Sequence, residues 1–335
     1  MLCSLGLRHR GIQVRSRNLV ISIAIGAVAV AAIPAASSWA TFPGTNGRIA
    51  FASNGAGDLD IYTMNPDGSG VVNLTTAPGS PGFAFEPDWS PDGTKIAFRS
   101  GREAAGEIYT MNADGTSFTQ LTSNAFKDYA PAWSPDGSMI AFASNRNDPN
   151  PATCNSLSGC NDDIFVMPAT GGSPVQVTFD SGADEFPQFS PDGRLIAYNT
   201  DLGGATAIYT VDLDTLAVTK LTTDSLQAGQ PDWSPDGTKI AFLDDFFACK
   251  KPKDCNSDVF VMNADGGGVT QLTRKFGDNF PHPTWSPEGD KIVFTHAGLH
   301  SLKPAQIYTM NPDGTGITRI THTNDNSTTP DWGSG

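Results

Sequence analysis

The chain has 335 residues, of which 35 are acidic and 21 are basic, so its formal net charge at neutral pH is −14. An acidic surface repels nucleic-acid phosphates and anionic lipid headgroups, which excludes general binding to nucleic acids or to lipid surfaces. The same charge favours basic proteins, basic peptides or divalent metal ions as partners. The solubility of an exported protein explains the acidity equally well without a partner.

The first forty residues have the pattern of an export signal. Four arginines precede an apolar run over Leu19–Ile33, which is short for a transmembrane helix. Small residues, Ser38 and Ala40, then stand at the minus-three and minus-one positions of a cleavage site. We predict a signal peptide over residues 1–40 and a secreted or periplasmic protein, with retention of the segment as a membrane anchor as the alternative. Cleavage leaves 17 basic and 35 acidic residues, a net charge of −18.

A twelve-residue segment, Pro87–Phe98, returns unchanged at Pro231–Phe242 and organises the chain. The pattern Pro-x-Trp-Ser-Pro-Asp-Gly-x-x-Ile-Ala-Phe recurs, whole or in part, around four further aromatic residues: Trp133, Phe189, Trp285 and Trp332. Its Ser-Pro-Asp-Gly tetrad suits a type I turn between two strands, because each residue type fits its turn position. A second hairpin follows each copy, first at Ile61–Thr75. Each repeat is therefore predicted to form four short strands.

Six strands of the Ile-Ala-Phe type can be counted, and they begin at Ile49, Ile96, Ile140, Ile196, Ile240 and Ile292. This spacing, with four strands per repeat, is typical of β-propeller blades. The first repeat lacks its own first strand, whereas the C-terminus carries a spare one at Trp332. We predict an all-β, six-bladed β-propeller of four-stranded antiparallel blades over residues 41–335. The C-terminal strand closes the ring by joining the first blade.

Two insertions, at residues 145–162 and 244–257, lengthen the connection between the second and third strands of blades three and five. Each contains two cysteines with five residues between them: Cys154 and Cys160, Cys249 and Cys255. An even number of cysteines in an exported chain favours disulfides, and because each pair lies within one insertion we predict local pairing. Zinc binding by these cysteines is the alternative. Both insertions extend the same face of the ring, which is the predicted working face.

The repeated Trp-Ser-Pro-Asp-Gly-x-x-Ile-Ala-Phe and Ile-Tyr-x-Met-Asn-x-Asp-Gly motifs resemble the TolB-type six-bladed propeller repeat, over nearly the whole chain after the signal. TolB, as the family is known, is a periplasmic component of the Tol-Pal envelope system. It carries a small α/β domain before its propeller and binds a peptidoglycan-associated lipoprotein over one propeller face. The resemblance therefore implies the fold and a protein-binding role. The short interval between Ala40 and the first strand departs from that pattern, because the α/β domain does not fit there.

The sequence contains no Gly-x-Ser-x-Gly elbow, no His-Glu-x-x-His motif and no phosphate-binding glycine-rich loop before a helix. A candidate divalent metal site comes from histidines that map to one face around blade six: His282, His296, His300 and His322. Convergent imidazoles suit zinc, copper or nickel. The alternative is that these are separate histidines with no ligand, and no other cofactor is expected.

A second candidate site lies at the mouth of the axial channel, where the first strand of each blade begins. Polar residues precede the prolines of these strands or stand beside their aromatic residues: Glu86, Asp88, Tyr129, Glu185, Gln188, Gln230, Asp232, His282, Thr284, Thr329 and Asp331. A mouth of this composition suits a cation, a sugar or a basic peptide. The alternative is that these residues solvate a water-filled channel and bridge neighbouring blades.

These features predict an exported, non-catalytic and monomeric propeller that binds a basic envelope or extracellular protein or peptide on the face with the insertions. The alternative is a metal-assisted carbohydrate lyase or hydrolase at the channel mouth, acting through His282, Glu86 and Glu185. Analogy with other propellers is the support for the enzyme, so the binding scaffold is preferred. Neither nucleic-acid binding nor membrane insertion after signal cleavage is expected.

Overall fold

The computed structural model describes residues 44–76, 79–101, 106–149, 160–245, 257–274, 282–296 and 304–335. Within these ranges, 24 strands form six four-stranded sheets, which confirms the predicted six-bladed propeller. The predicted signal peptide and three cysteines of the predicted disulfides, Cys154, Cys249 and Cys255, lie outside the described residues. Export and disulfide pairing therefore remain predictions. The described part of the chain has no helix long and apolar enough to cross a membrane.

The first strand of each blade lines the axis of the ring, and the second strand pairs with it on the outside. The first strands are β24 (Ser327–Ser334), β4 (Ala84–Trp89), β8 (Asp128–Trp133), β12 (Glu185–Phe189), β16 (Ala228–Trp233) and β20 (Thr284–Trp285). The second strands are β1 (Asn46–Ser53), β5 (Lys95–Ser100), β9 (Met139–Ser144), β13 (Leu195–Thr200), β17 (Lys239–Asp245) and β21 (Ile292–His296).

The third and fourth strands complete each blade towards its outer edge. The third strands are β2 (Asp60–Met64), β6 (Glu107–Asn112), β10 (Asp163–Pro168), β14 (Ala207–Asp212), β18 (Ser257–Asn263) and β22 (Gln306–Met310). The fourth strands are β3 (Val72–Asn73), β7 (Thr119–Gln120), β11 (Val175–Gln176), β15 (Val218–Lys220), β19 (Thr270–Gln271) and β23 (Thr318–Arg319). All neighbouring strands within a blade run antiparallel.

The turn between the first and second strands explains the repeated Ser-Pro-Asp-Gly tetrad. In blade two, the Gly93 N–H donates to the Ser90 carbonyl at 2.9 Å, and Gly93 has a φ of 66°, a left-handed conformation that glycine adopts readily. Asp92 Oδ1 accepts hydrogen bonds from Ser90 Oγ at 2.7 Å and from the Thr94 N–H at 3.0 Å. This aspartate therefore stabilises the turn, as its position between two strand signals predicts.

The aromatic residue of each first strand packs between neighbouring blades. Trp89 is buried in a cluster with Ala50 and Ile61 of blade one and with Ile96 and Phe98 of its own blade. Burial of a large apolar side chain contributes about 2 to 3 kcal/mol. The repeated aromatic position is therefore what holds each blade against the previous one.

The two ends of the described chain meet in blade one. Strand β24 pairs with β1, and this register places Ile49 opposite Trp332 and Ala50 opposite Asp331. The Trp332 indole N–H also donates to the Gly47 carbonyl at 3.2 Å. Blade one thus takes its first strand from the C-terminal end of the chain, which confirms the predicted closure of the ring.

Candidate functional site at the axial channel

Each first strand changes conformation at the residue that precedes its proline. None of these residues is glycine, yet all have a left-handed φ between 41° and 56°: Glu86, Ala130, Phe186, Gln230, His282 and Thr329. The pairing of β4 with β5 shifts register at this point, between Phe85 and Asp88, because proline has no N–H for the ladder. Left-handed backbone at a non-glycine residue costs on the order of 1 kcal/mol or more. Its recurrence in every blade marks a constrained channel wall.

The channel consists of two small chambers. The first chamber, of about 30 Å³, is lined by Glu86, Ala130, Phe186, Gln230 and His282. The second chamber, of about 70 Å³, is lined by the six repeated aromatic residues and by four prolines of the turns that follow them, Pro135, Pro191, Pro235 and Pro287. A waist of five residues belongs to both chambers: Asp88, Gln188, Asp232, Thr284 and Asp331. These volumes hold a few water molecules, an ion or the end of a side chain, but not a sugar ring.

Tyr129 and Glu185, two of the predicted mouth residues, do not line either chamber. They stand one residue before the channel positions, which Ala130 and Phe186 occupy instead. The Tyr129 hydroxyl donates to Glu185 Oε1 at 2.9 Å and links blades three and four beside the channel. Burial raises the pKa of Glu185 to about 7. The sequence reading is therefore corrected at these two positions, and counting back one residue from each proline would have found Phe186.

Three aspartates of the waist connect adjacent blades through backbone hydrogen bonds. Oδ2 of each aspartate accepts from the backbone N–H of the aromatic residue in the next blade: Asp88 from Trp133 at 2.7 Å, Asp232 from Trp285 at 2.6 Å, and Asp331 from Trp89 at 2.6 Å. The bridging role that the sequence suggested as an alternative is thus present. It accounts for one oxygen of each carboxylate.

The same three aspartates form a region of high electrostatic cost at the centre of the ring. Burial raises the pKa of Asp88 and of Asp232 well above the usual range, and the charge of Asp331 adds to the rise in both. Burial also raises the pKa of Asp331 to about 7. A positive charge at the waist would offset this repulsion and return the carboxyls to their ionised form. The waist is therefore suited to receive a cation.

The first chamber has its own hydrogen bonds between blades. Glu86 Oε2 accepts from the Ala130 N–H at 2.9 Å, and Gln230 Oε1 accepts from the His282 N–H at 3.2 Å. The His282 ring meets the Phe186 ring edge to face, with 6.1 Å between centroids. Burial lowers the pKa of His282 to about 4, and its Nδ1 has no hydrogen-bond partner among the described residues. At neutral pH this imidazole is therefore uncharged.

The candidate histidines that the structure describes have three different surroundings. His282 lines the first chamber, His296 packs edge to face on Tyr308 with 5.1 Å between ring centroids, and His322 lines a surface pocket with Tyr62. In the described ranges, no three His, Cys, Asp or Glu side chains are grouped to hold a metal ion. His300 lies outside these ranges, so the four-histidine metal site remains a prediction.

Six antiparallel blades around a narrow acidic channel define the class of this protein as a six-bladed β-propeller. Residues 15–150 and 148–248 match the family profile of the TolB beta propeller domain. The chain belongs to this family, which confirms the resemblance carried by the repeat motifs.

Two curated relatives and one solved structure are similar to this chain. An uncharacterised protein of Agrobacterium fabrum is 33% identical over 135 residues, which cover 39% of this chain and 46% of that protein. The Tol-Pal system protein TolB of Francisella tularensis subsp. mediasiatica is 31% identical over 87 residues, covering 26% of this chain and 19% of that protein. The matched stretch spans less than half the length of each relative. The crystal structure of TolB from Acinetobacter baumannii shares the fold, with a TM-score of 0.68 and 24% identity over 85% of this chain and 66% of that one.

Proposed function

We propose that this protein is an exported, non-catalytic scaffold that binds a basic protein or peptide, and that a lysine or arginine side chain of the partner enters the channel. The observation that carries the proposal is the acidic waist, where burial raises the pKa values of Asp88, Asp232 and Asp331 and the charge of Asp331 adds to the rise in the other two. An ammonium or guanidinium group supplies the positive charge that this waist lacks. The name of the Francisella relative, a Tol-Pal system protein, supports a role in the cell envelope.

The second chamber is the wider approach to the waist. Its volume is about 70 Å³, against about 30 Å³ for the first chamber. Indole rings line it, and the face of an indole attracts a cation. The end of a basic side chain therefore fits best from the side of the Ser-Pro-Asp-Gly turns. This is the face opposite to the two insertions, most of whose residues lie outside the described ranges.

The carbohydrate enzyme that the sequence left open has less support than the scaffold. Its three candidate catalytic residues are not gathered at one chamber, because Glu185 lies off the channel wall. Glu86 accepts the Ala130 N–H, and burial raises the pKa of Glu86 while the charge of Arg99 opposes the rise. The chamber volumes further limit what a sugar ring could reach. A binding role asks only for a cation at the waist.

Binding of defined peptides tests this proposal. Lysine-containing peptides and otherwise identical norleucine peptides would be titrated into the protein by calorimetry at low and at physiological salt. We expect binding only of the lysine series, at least tenfold weaker in a variant with Asp88→Asn, Asp232→Asn and Asp331→Asn. Asparagine keeps the oxygen that accepts the backbone N–H, and Gln188 already places an amide in the waist. The exposed Asp214→Asn variant controls for loss of charge alone, and equal binding of both peptide series would overturn the proposal.

A further inference from the structure

At the boundary between blades two and three, a buried carboxylate is fully paired. Asp128 is completely buried, and Arg146 Nη2 lies 2.9 Å from its Oδ1. Ser144 Oγ donates to the same oxygen at 2.6 Å, and Asn124 Nδ2 donates to Oδ2 at 2.7 Å. The Arg146 charge also opposes the rise that burial causes in the pKa of neighbouring Glu107. The guanidinium therefore pairs directly with Asp128 and acts on Glu107 through its charge alone.

The boundary between blades three and four repeats these acids without the cation. Leu202 follows β13 by the same two residues by which Arg146 follows β9, so the two positions are equivalent. The equivalent pairs, with the residue of the earlier boundary first, are Glu107 and Asp163, Asp128 and Asp184, Asn124 and Asp180, and Arg146 and Leu202. The exchange removes one positive charge and adds one negative charge at the same place in the fold.

The acids at this second boundary accept no hydrogen bond from the described residues. Asp163 is 1% exposed and Asp184 is 0% exposed, and none of their carboxylate oxygens has a hydrogen-bond partner in the part of the chain that the structure describes. The hydroxyl of Tyr198, a fully buried residue, has none either. Blade three has an apolar phenylalanine, Phe142, at the equivalent position. A third buried side chain with an unpaired oxygen has thus been added where the guanidinium is missing.

The backbone brings the two acids close together, because the Asp184 N–H donates at 2.8 Å to the carbonyl of Asp162, the residue before Asp163. Burial raises the pKa of Asp184 to about 7, and the charges of Asp180 and Asp163 add to the rise. Burial raises the pKa of Asp163 to about 6. The charge of Asp184 contributes to the raised pKa of the Tyr198 hydroxyl. The Thr178 and Thr200 hydroxyls oppose the rise at Asp184, and the Gln176 and Asn147 side chains oppose the rise at Asp163, although none of them is placed to donate a hydrogen bond. An ionised carboxylate that is buried without a partner is costly, and a nearby positive charge offsets that cost.

We propose that a calcium ion binds at the boundary between blades three and four, held by the carboxylates of Asp163 and Asp184 and faced by the Tyr198 hydroxyl. The ion takes the role that the Arg146 guanidinium has at the preceding boundary. Ca²⁺ accepts six to eight oxygen ligands, including carboxylates and water, whereas zinc favours nitrogen and sulfur. Water molecules supply the ligands that the two carboxylates and the hydroxyl do not. A site of this kind does not require three acidic side chains.

Calcium titration of the chelator-treated full chain tests the site. We expect one Ca²⁺ per chain by calorimetry at pH 7.5. At a hundredfold excess over Kd, the melting temperature should rise by about 5 °C. Mg²⁺ should have a smaller effect, because it dehydrates reluctantly. Asp184→Asn should abolish both the binding and the rise, while Tyr198→Phe should weaken binding and keep the fold.

The matched variant is Leu202→Arg, which restores the residue of the preceding boundary. It should raise the melting temperature without calcium and weaken calcium binding at least tenfold. Asp232→Asn, at the channel waist, should bind calcium as the wild type does, which separates this site from the peptide site. Absence of calcium binding to the wild type would overturn the proposal. Equal binding by the wild type, Asp184→Asn and Leu202→Arg would do so as well.

Discussion

The carboxylate of Asp331 accepts a 2.6 Å hydrogen bond from the backbone N–H of Trp89, and this contact ties the last strand of the chain to blade two. Asp331→Ala leaves that N–H without its acceptor, so the free energy of unfolding should fall by about 1 to 3 kcal/mol. Asp331→Asn keeps an acceptor oxygen and should cost less. Urea unfolding followed by tryptophan fluorescence measures both. Exposed Asp214→Ala is the control. An equal loss of stability in the two Asp331 variants would contradict a stabilising role for this hydrogen bond.

The ion pair of Arg146 and Asp128 should contribute far more to the free energy of unfolding than the ion pair of Arg194 and Asp212. The first joins a fully buried carboxylate to a guanidinium at 2.9 Å, whereas the Arg194 side chain is 63% exposed at 3.2 Å from its partner. Arg146→Leu strands a buried charge, which should cost about 3 to 5 kcal/mol. Arg194→Leu should cost less than about 1 kcal/mol. Chemical unfolding of the two variants side by side measures both losses. Equal losses of stability would contradict the prediction that the buried pair contributes more.

The stability of the calcium-free protein should fall as pH rises, through Asp184. Burial raises its folded pKa to about 7, above the 3.8 of an unperturbed aspartate, so the folded state holds a proton that the unfolded state has released. The contribution is complete below about pH 4 and is lost as pH rises through 7, to a total of about 4 kcal/mol. The Asp184→Asn variant has no carboxyl group at this position, so its stability does not include this pH-dependent contribution.

Unfolding in urea with EDTA at pH 5 and pH 8 measures this difference. We expect Asp184→Asn to gain stability relative to the wild type between the two pH values, while Asp214→Asn follows the wild type. Calcium should remove most of the difference at pH 8, because it stabilises the ionised carboxylate. A wild type and Asp184→Asn variant with the same pH dependence would contradict the raised pKa.

The repeats made the fold predictable, because each copy carries its own turn chemistry and strand pattern. The ring closure followed from one missing strand in the first repeat and one spare strand at Trp332. The channel wall was predicted one residue out of place in two blades. The channel residue is the left-handed one directly before the proline, and in these two blades the assignment took the residue before that one. Tyr129 and Glu185 were therefore assigned to positions that Ala130 and Phe186 occupy.

The sequence alone does not reveal the unpaired acids between blades three and four. In the sequence, Asp163 and Asp184 belong to different repeats, and nothing marks them as neighbours. Aligning the repeats does reveal that Leu202 stands at the position of Arg146, but burial decides whether that exchange matters. The acidic waist is similar: Asp88, Asp232 and Asp331 are far apart in the chain, and closure of the ring makes their charges interact.

His282 should stay neutral in the folded protein well below the pH at which a free histidine gains its proton. Burial lowers its pKa from 6.5 to about 4. The stability that comes from keeping this ring neutral is complete above pH 6.5 and is lost as pH falls towards 4, because the unfolded chain binds the proton first. Ring nitrogen shifts in NMR spectra, assigned by comparison with His282→Gln, should show a neutral imidazole at pH 5 in buffer and a charged one at the same pH in urea. A charged ring at pH 5 in the folded protein would contradict this burial and would place a positive group beside the waist, weakening the attraction for a basic side chain.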